Sequence, residues 1–587
     1  MKKNTQSLKK TFIEAVEHYK KKDLKTAEVV CYKILSIDQM HFDSISLLAN
    51  IFAISNDYVK AKEFLLRAIS IQPNNTTILN NLGTASKELG ESNEAINFYQ
   101  KVLEIDINHT NANYNLGLIF YKLKELIKAK NYLEKTIKIQ PNYALAHFNL
   151  GNLQKESKEF KKAKLSYLKA IDLRPSFANA HNNLGLVFSG MDNPEEAISC
   201  YEKTIEINPN HAGAYNNLGR IYTEVGKFEK AIDSHQEAIK LEPENLMHSF
   251  YLCELKFSFL DSSLKDKIKK ILNNNPLQLN IVFGNFLLSR YARQEKNYKK
   301  EVDYLTKAHN QYFSLKKEKF DLGVKYCFEN VLQIANFAEF KSKKKINDDK
   351  VKPIFIIGVP RSGSTLVEKV IGSSEKNIPM GEEVSVFENF VNNKILKKKS
   401  LNLGDMEIFR DELVNMYKQK GLIQEKNNFI FTDKSLNNFF YLEIIAKIFP
   451  GAKIINCKRK VISSIMSIFQ NNLTELAWAH NLENIFKYFD NYFQMITKFE
   501  KKHPNIIYNL DFEKFTNDPE VESKKLMHFC NLTWDKKCLE FYKRKDIFSK
   551  TTSRQQIRKA IYKNTVDRYL PYKSFLDKYG NKYSWFN

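Results

Sequence analysis

The sequence predicts an α-helical superhelix of about seven 34-residue repeats, followed by a three-layer α/β/α domain with a P-loop-like parallel sheet. Two observations predict this fold. The N-terminal part matches itself without gaps at an offset of 34 residues. Further along, a short β-branched segment at Ile354–Ile357 leads into a glycine-containing loop and an apolar helix. With 587 residues the chain is too long for one hydrophobic core, so separate domains are expected.

Small residues mark the repeats. Leu-Gly pairs recur every 34 residues from Leu82-Gly83 to Leu218-Gly219, and an alanine follows twelve residues after each glycine or its equivalent. Small residues at fixed positions indicate that two helices approach closely there. Proline, which cannot continue a helix, ends five of the repeats. The alanines are Ala27, Ala61, Ala95, Ala129, Ala163, Ala197 and Ala231, and the prolines are Pro73, Pro141, Pro175, Pro209 and Pro243. The pattern resembles the tetratricopeptide repeat family, which implies an array that binds a protein or peptide partner.

One column of the repeats is polar. The residue before Leu-Gly is asparagine, a poor helix former, in five consecutive repeats. These residues are Asn81, Asn115, Asn149, Asn183 and Asn217. Since an amide both donates and accepts, such a row can grip the backbone of an extended polypeptide, and it resembles the repeats of O-GlcNAc transferase, which present protein substrates. The alternative is that the amides satisfy hydrogen bonds between repeats.

The decay of the repeat frame predicts the domain boundaries. Residues 1–245 form the repeat array, residues 246–345 a helical cap and charged linker, and residues 346–587 the α/β domain. Apolar periodicity continues through much of the middle segment and predicts further helices there. The run from Lys341 to Lys350 is charged and turn-forming, as is typical of a solvated linker.

Composition limits the partners. The formal net charge is +24, but lysine is spread along the chain with Asn, Ile and Phe, so we expect no nucleic-acid surface, which would be clustered. The seven cysteines are scattered and form no CxxC pair, which favours reduced thiols. No continuous apolar segment suits a signal peptide or a membrane span, so we expect a cytoplasmic protein. The repeats leave the oligomeric state open, a homodimer included.

The glycine loop predicts an anion site. After the strand, Gly358 to Thr365 satisfies GxxxxG, and the helix that follows would turn its N-terminal amides toward an anion. Nucleotide-hydrolysing loops place a lysine where this chain has Ser364, whereas Arg361 lies inside the loop. These features favour a metal-free monophosphate or phosphosulfate ligand. A decayed NTPase loop or a plain strand-to-helix turn stays open on this segment alone.

The loop resembles the 5′-phosphosulfate-binding loop of the sulfotransferase family, especially the branch of tyrosylprotein sulfotransferases. The resemblance implies the sulfate donor PAPS (3′-phosphoadenosine 5′-phosphosulfate), contacted by the loop residues Arg361, Ser362, Gly363, Ser364 and Thr365. A second strand-helix unit places Arg459 and Ser467 eight residues apart, which matches the family's 3′-phosphate site. Relatives usually have Asp, and often Pro, where this chain has Lys460 and Val461.

The same resemblance implies the catalytic groups. Gly381-Glu382-Glu383 resembles the family's GEE, in which the second glutamate is the base, so Glu383 is expected to take the proton of the acceptor hydroxyl. Lys434, in a DK segment, is expected to stabilise the leaving oxygen together with Arg361.

Two further cofactor ligands are implied near the C-terminus, where residues 552–562 resemble a segment that folds over the cofactor. They are Ser553 and Arg568. Residues 508–519 and Trp534-Asp535 resemble the helix and turn that complete the domain, with Phe512 where relatives often have a nucleotide-stacking tyrosine. No zinc-ligand spacing appears in the sequence, and no metal is expected.

The implied activity is transfer of a sulfuryl group from PAPS to a hydroxyl, with release of adenosine 3′,5′-bisphosphate. GEE and the repeats favour tyrosine in a protein as the acceptor. A glycan, lipid or small-molecule hydroxyl is the first alternative. The second is a non-catalytic repeat scaffold with a nucleotide-sensing domain, and a P-loop kinase or ATPase is disfavoured by Ser364.

Overall fold

The computed structural model describes residues 2–274, 276–337, 340, 350–374, 378–398, 402–423, 429–544, 556–561 and 566–586. Its contacts divide the chain into two compact units, Met1–Asn217 and Leu218–Asn587. The boundaries expected near residues 245 and 345 stay a prediction, and residues 341–349 of the expected linker lie outside the described residues.

The repeats fold into consecutive helix pairs, which confirms the predicted superhelix of tetratricopeptide type. Side chains such as Asp57 and Asn75 accept hydrogen bonds from the first turn of several helices and so fix where they begin. The helices are α1 (Lys2–Lys20), α2 (Leu24–Leu35), α3 (Phe42–Ile54), α4 (Tyr58–Ile71), α5 (Thr76–Glu88), α6 (Ser92–Ile105), α7 (Thr110–Lys122), α8 (Leu126–Ile139), α9 (Ala144–Glu156), α10 (Phe160–Leu173), α11 (Ala178–Gly190), α12 (Pro194–Ile207), α13 (Ala212–Val225) and α14 (Phe228–Leu241).

The small residues of the repeats lie where the helices touch. All seven predicted alanines are fully buried. Four of the five repeat glycines pack against a ring of the partner helix, and Gly117 packs against a leucine. A Cβ added to Gly185 would lie 2.6 Å from the ring of Tyr201, and one on Gly83 would lie 2.7 Å from that of Tyr99. Because protein interiors are closely packed, an added Cβ at these positions would force the neighbouring side chain or helix to shift. Glycine at these positions therefore sets the distance between paired helices.

The middle of the chain is helical, as expected. Its helices share one hydrophobic core with the α/β part, since Phe286 and Val331 belong to the same buried cluster as Phe355 of the sheet. They are α15 (Leu246–Leu255), α16 (Ser262–Asn273), α17 (Gln278–Gln294), α18 (Tyr298–Leu315), α19 (Lys317–Lys325) and α20 (Val331–Phe337), with a 3₁₀ turn at Phe257–Phe259 and a π-helical turn at Tyr326–Asn330.

The C-terminal part is built on a parallel sheet. Within the described residues the sheet has four strands in the order β2-β1-β3-β4, all parallel. The strands are β1 (Lys352–Ile357), β2 (Ile430–Asp433), β3 (Lys453–Lys458) and β4 (Ile507–Asp511). The segment from Tyr508 was expected to be helical, and this expectation is wrong: Ile507–Asp511 pairs with β3, and the helix begins only at Phe512.

Helices cover both faces of the sheet, which confirms the three-layer prediction. Alternate residues of β1 point to opposite sides: Ile354 and Ile356 lie in one buried cluster, Phe355 and Ile357 in the other. The helices are α21 (Ser364–Gly372), α22 (Val386–Lys398), α23 (Met406–Gln419), α24 (Leu442–Ile448), α25 (Val461–Phe469), α26 (Leu482–Lys502), α27 (Phe512–Asn517), α28 (Pro519–Phe529) and α29 (Lys573–Gly580). Short 3₁₀ segments are Leu436–Tyr441, Ala477–His480, Lys536–Lys543, Gln556–Arg558 and Val566–Tyr572.

Among the described residues, no helix is both long enough and apolar enough to span a membrane.

Candidate functional site

The carboxyl ends of the four strands meet at one edge of the sheet. β1 leads into the loop 358–363, β2 into Lys434, β3 into Arg459 and β4 into Phe512. In open parallel sheets, ligands bind at this edge, next to the point where the connections after two neighbouring strands run in opposite directions. The topology therefore brings together residues that lie up to about 150 positions apart in the sequence.

The loop after β1 is tightly wound. Gly358, Arg361 and Gly363 have φ values of +151°, +69° and +98°, and the left-handed conformation is uncommon for a side chain as large as arginine. A Cβ on Gly363 would lie 2.2 Å from the ring of Phe512, so only glycine fits there. The loop ends at the N-terminus of α21, with Ser364 and Thr365 in its first turn. This arrangement directs main-chain amides toward an anion.

Two arginines and a serine form a cluster at the loop, which we call the anion cluster (Arg361, Arg459 and Ser467). Arg361 Nε donates to Ser467 Oγ at 3.0 Å, and Arg459 Nη1 donates to the main-chain oxygen of Arg361 at 2.8 Å. The guanidinium of Arg459 also lies 5.1 Å from the ring centroid of Phe512. Residues predicted separately for the 5′ and 3′ phosphates thus touch one another.

The anion cluster fits a phosphate-bearing ligand. Ser362 is fully buried, and its Oγ has no hydrogen-bond partner among the described residues. Buried hydroxyls without partners are rare in folded proteins. A phosphate or phosphosulfate held by the loop amides, Arg361 and Arg459 would supply the missing acceptor.

A lysine and a glutamate pair beside the loop. Lys434 Nζ donates to Glu383 Oε1 at 3.1 Å; the side chain of Lys434 is 2% exposed and that of Glu383 is 58% exposed. Burial disfavours the charged form of Lys434, but three neighbouring carboxylates outweigh it and raise its pKa above the usual value. Those carboxylates belong to Glu383, Glu368 and Glu382. The structure thus places a lysine whose charged form is favoured next to an accessible carboxylate.

Behind this pair lies a buried network that the sequence did not reveal. Glu368 of α21 is fully buried and accepts from Glu382 N at 2.9 Å and from Thr432 Oγ1 at 2.8 Å. Burial raises the pKa of Glu368. Lys369, also buried, donates to Glu382. Glu382 therefore holds the turn that carries Glu383, while Glu368 joins that turn to the end of β2.

Asp433 fixes the other side of the pair. Its carboxylate is buried and accepts from Tyr417 Oη at 2.6 Å and from Asn438 Nδ2 and Ser435 N at 2.9 Å each. A carboxylate with this many donors is rigidly placed. Lys434, the next residue, is positioned by this neighbour.

Comparison with known families identifies this part of the chain. Residues 353–536 match the model of the sulfotransferase family. The chain carries a sulfotransferase-family domain. Tetratricopeptide repeat models match residues 42–75, 76–109, 110–143, 155–192 and 176–243. The sulfotransferase domain is thus preceded by repeats, in the order that the sequence predicted.

Similar proteins align with only part of this chain. An uncharacterized protein of Aquifex aeolicus is 27% identical over 310 residues, which span 50% of this chain and 40% of that protein. YrrB, a solved tetratricopeptide protein described as having an unusual peptide-binding site, is 24% identical over 32% of this chain and 97% of its own, with a TM-score of 0.29. PilF of Pseudomonas aeruginosa is 19% identical over 36% of this chain and 96% of its own, with a TM-score of 0.33.

Two predicted ligands of the sulfotransferase domain are not brought to the anion cluster by any described contact. Ser553 lies outside the described residues. Arg568 is exposed, donates to Tyr569 Oη at 2.9 Å and lies 4.9 Å from the centroid of the same ring. Their roles stay predictions. Among the described residues, no group of three or more His, Cys, Asp or Glu side chains is placed to hold a metal ion.

The asparagines of the repeats are half-buried and partly linked. Three of them donate to a side chain of the preceding repeat: Asn149 to Tyr114 Oη at 3.0 Å, Asn183 to Asn152 Oδ1 at 2.8 Å and Asn217 to Asn182 Oδ1 at 3.0 Å. These bonds agree with the inter-repeat alternative for those three residues. Asn149 Nδ2 also donates to the main-chain oxygen of Leu145 at 2.9 Å. Contact with a substrate stays a prediction for all five asparagines, Asn81 and Asn115 included.

Proposed function

We propose that this chain transfers a sulfuryl group from PAPS to an acceptor hydroxyl and releases adenosine 3′,5′-bisphosphate. The sulfotransferase-family match implies sulfuryl transfer and PAPS as the donor. One observation carries the proposal furthest: the anion cluster and the Glu383–Lys434 pair lie at the same edge of one parallel sheet. An anion-binding half and a proton-transferring half are the two parts that the reaction requires.

The binding half would hold the donor by its two charged ends. The loop residues Ser362, Gly363, Ser364 and Thr365 would wrap the 5′-phosphosulfate together with Arg361. Arg459 and Ser467 would bind the 3′-phosphate, and Ser553 and Arg568 would complete the site, as the resemblance implies. When bound, PAPS supplies the sulfuryl group and a bisphosphate leaving group.

The catalytic half is made of side chains. Glu383 takes the proton of the acceptor hydroxyl, and its exposed carboxylate is open to an acceptor. Lys434 stays protonated because its pKa is raised, so it can hydrogen-bond the oxygen on which negative charge develops. Arg361 adds a second positive charge at the loop. Side-chain cations rather than a metal ion supply the charge in this proposal.

We propose a protein tyrosine as the acceptor, presented by residues 1–245. The GEE segment resembles that of tyrosylprotein sulfotransferases, and repeats of this family suggest binding of a protein or peptide. Residues 246–345 would connect the array to the catalytic domain formed by residues 346–587. A glycan, a lipid or a small hydroxyl compound is the rival acceptor, and a nucleotide-sensing scaffold is the rival without catalysis.

Labelled PAPS tests the proposal. The purified chain is incubated with ³⁵S-PAPS and, in separate samples, a pool of tyrosine peptides, the same pool with its tyrosines O-acetylated, a glycan fraction and a lipid fraction. We expect label on the untreated peptides, an equal amount of released adenosine bisphosphate, and no label after acetylation. Label on a glycan or lipid fraction alone would move the acceptor to that class. Binding of PAPS without transfer to any fraction would favour the scaffold.

A further inference from the structure

Two chain segments run side by side away from the Glu383–Lys434 pair. After that pair, Ser385 N donates to Ser435 Oγ at 2.8 Å, and then Asn437 Nδ2 donates to Glu388 Oε1 at 2.9 Å. The three successive contacts form a polar strip. The Cα atoms of Lys434 and Asn437 are at most about 11 Å apart, so the contact of Glu388 lies on the same strip as the base, three residues further along this segment.

The carboxylate of Glu388 is fixed through one oxygen. Besides Asn437, Tyr326 Oη donates to Oε1 at 2.6 Å, and Asn392 in turn donates to Tyr326. Among the described residues, both hydrogen bonds to Glu388 fall on Oε1. The residue is only partly buried, so Oε2 is left to meet a ligand.

The charge of Glu388 is not balanced by these partners. Tyr326 and Asn437 are both neutral donors, and no ion pair of Glu388 occurs within the described part of the chain. Withdrawing a carboxylate from water costs free energy, and a cation partner offsets that cost. Tyr326 moreover belongs to the π-helical turn Tyr326–Asn330, a rare geometry that is often found at functional sites. An unbalanced, immobilised carboxylate is a binding group for a cation.

We propose that Glu388 Oε2 binds a cationic group on the acceptor, so that the preferred acceptor carries an ammonium or guanidinium besides the hydroxyl that is sulfated. Glu388 thereby determines acceptor specificity, and Tyr326 and Asn437 hold it in place. The inference rests on the proposed function. It adds the charge class of the acceptor.

Three phenols of similar size test this charge preference. Tyramine carries a positive charge, 4-ethylphenol none and 4-hydroxyphenylacetate a negative charge. We expect the full-length protein with ³⁵S-PAPS to favour tyramine over 4-ethylphenol at least tenfold in kcat/KM, with 4-hydroxyphenylacetate last. Glu388→Gln should bring the three values within about threefold. Glu483→Gln, which removes an exposed glutamate from the first turn of α26, is the matched control and should behave as wild type.

Each result has a definite meaning. Equal values for the three phenols in the wild type, or an unchanged order in Glu388→Gln, would overturn the specificity role. The wild-type order decides even where the variant does not fold. Transfer to none of the phenols by a protein that binds adenosine 3′,5′-bisphosphate would also overturn it, whereas loss of that binding in the wild type would instead contradict the proposed function.

Discussion

Arg459 donates a hydrogen bond from Nη1 to the main-chain oxygen of Arg361 at 2.8 Å. This bond ties the residue that follows β3 to the loop that follows β1, and Arg361 continues the chain of contacts to Ser467 on α25. The parts expected to bind the two ends of the donor are therefore one connected structure. A substitution at the expected 3′-phosphate site should therefore also alter the position of Arg361 at the expected 5′-phosphosulfate site.

The first prediction concerns Arg459. Arg459→Ala removes a charged donor and the support of the Arg361 carbonyl, and hydrogen bonds to charged groups are worth about 1.5–3 kcal/mol. We expect binding of adenosine 3′,5′-bisphosphate to weaken about 10- to 100-fold in calorimetry, while the weaker binding of ATP changes little. Lys460→Ala removes the exposed neighbouring charge and should have little effect. Equal affinities of the wild type for the two nucleotides would contradict the donor assignment.

The second prediction separates chemistry from binding. Glu383→Gln keeps the shape of the side chain but cannot take a proton, and general-base catalysis contributes about 10²- to 10⁴-fold. Sulfuryl transfer should fall by at least about 100-fold, with affinity for adenosine 3′,5′-bisphosphate near wild type. If transfer continues at the original rate, the base is another group.

The third prediction concerns the adjacent glutamate, whose role is different. Lys369 is 1% exposed, and Glu382 is its ion-pair partner. Removing one partner of a buried pair leaves an uncompensated charge, at a cost of about 3 kcal/mol. Glu382→Gln should therefore lower the free energy of unfolding in urea by about this amount. Stability equal to that of the wild type would show that the buried pair does not hold the turn.

The sequence predicted the repeats because their period is regular: Gly185 has an equivalent glycine every 34 residues from Gly83 to Gly219, and the spacing alone indicates which helices pair. It also predicted the glycine loop, since Gly358 and Gly363 have a backbone role that other residues cannot fill. Helix spacing and the conformation of a loop depend on residues close together in the sequence, so the sequence pattern predicts them.

The supporting network could not be predicted in this way. Glu368 and Lys369 look like the polar face of an ordinary helix, and only the fold shows that they are buried against Thr432 and Glu382. Tyr326 is 62 positions from Glu388 in the sequence, and no motif links the two. Residues from Tyr508 were expected to be helical by resemblance alone, and only the pairing with β3 shows that Ile507–Asp511 is a strand.

A buried histidine pair underlies the last prediction. His309 Nδ1 and His480 Nδ1 lie 2.9 Å apart, and His309 Nε2 contacts the main-chain oxygen of Phe469, the last residue of α25, at 2.7 Å. Burial lowers the pKa of His309 to about 4 and, together with the nearby His309, that of His480 to about 3. The rings that face the pair belong to Phe286, Tyr312, Phe320 and Phe469.

A lowered histidine pKa makes the folded state lose stability in acid. The unfolded chain takes up protons below about pH 6.5 and the folded chain does not, so this stability is complete above pH 6.5 and falls as the pH approaches 4. Each buried histidine should account for about 3 kcal/mol of that loss at pH 4. In urea titrations followed by tryptophan fluorescence, His480→Gln should lose correspondingly less between pH 7 and 4 than the wild type. His528→Gln changes an exposed histidine, so this control should match the wild type. If all three proteins lose the same stability, protonation of the buried pair does not destabilise the folded state.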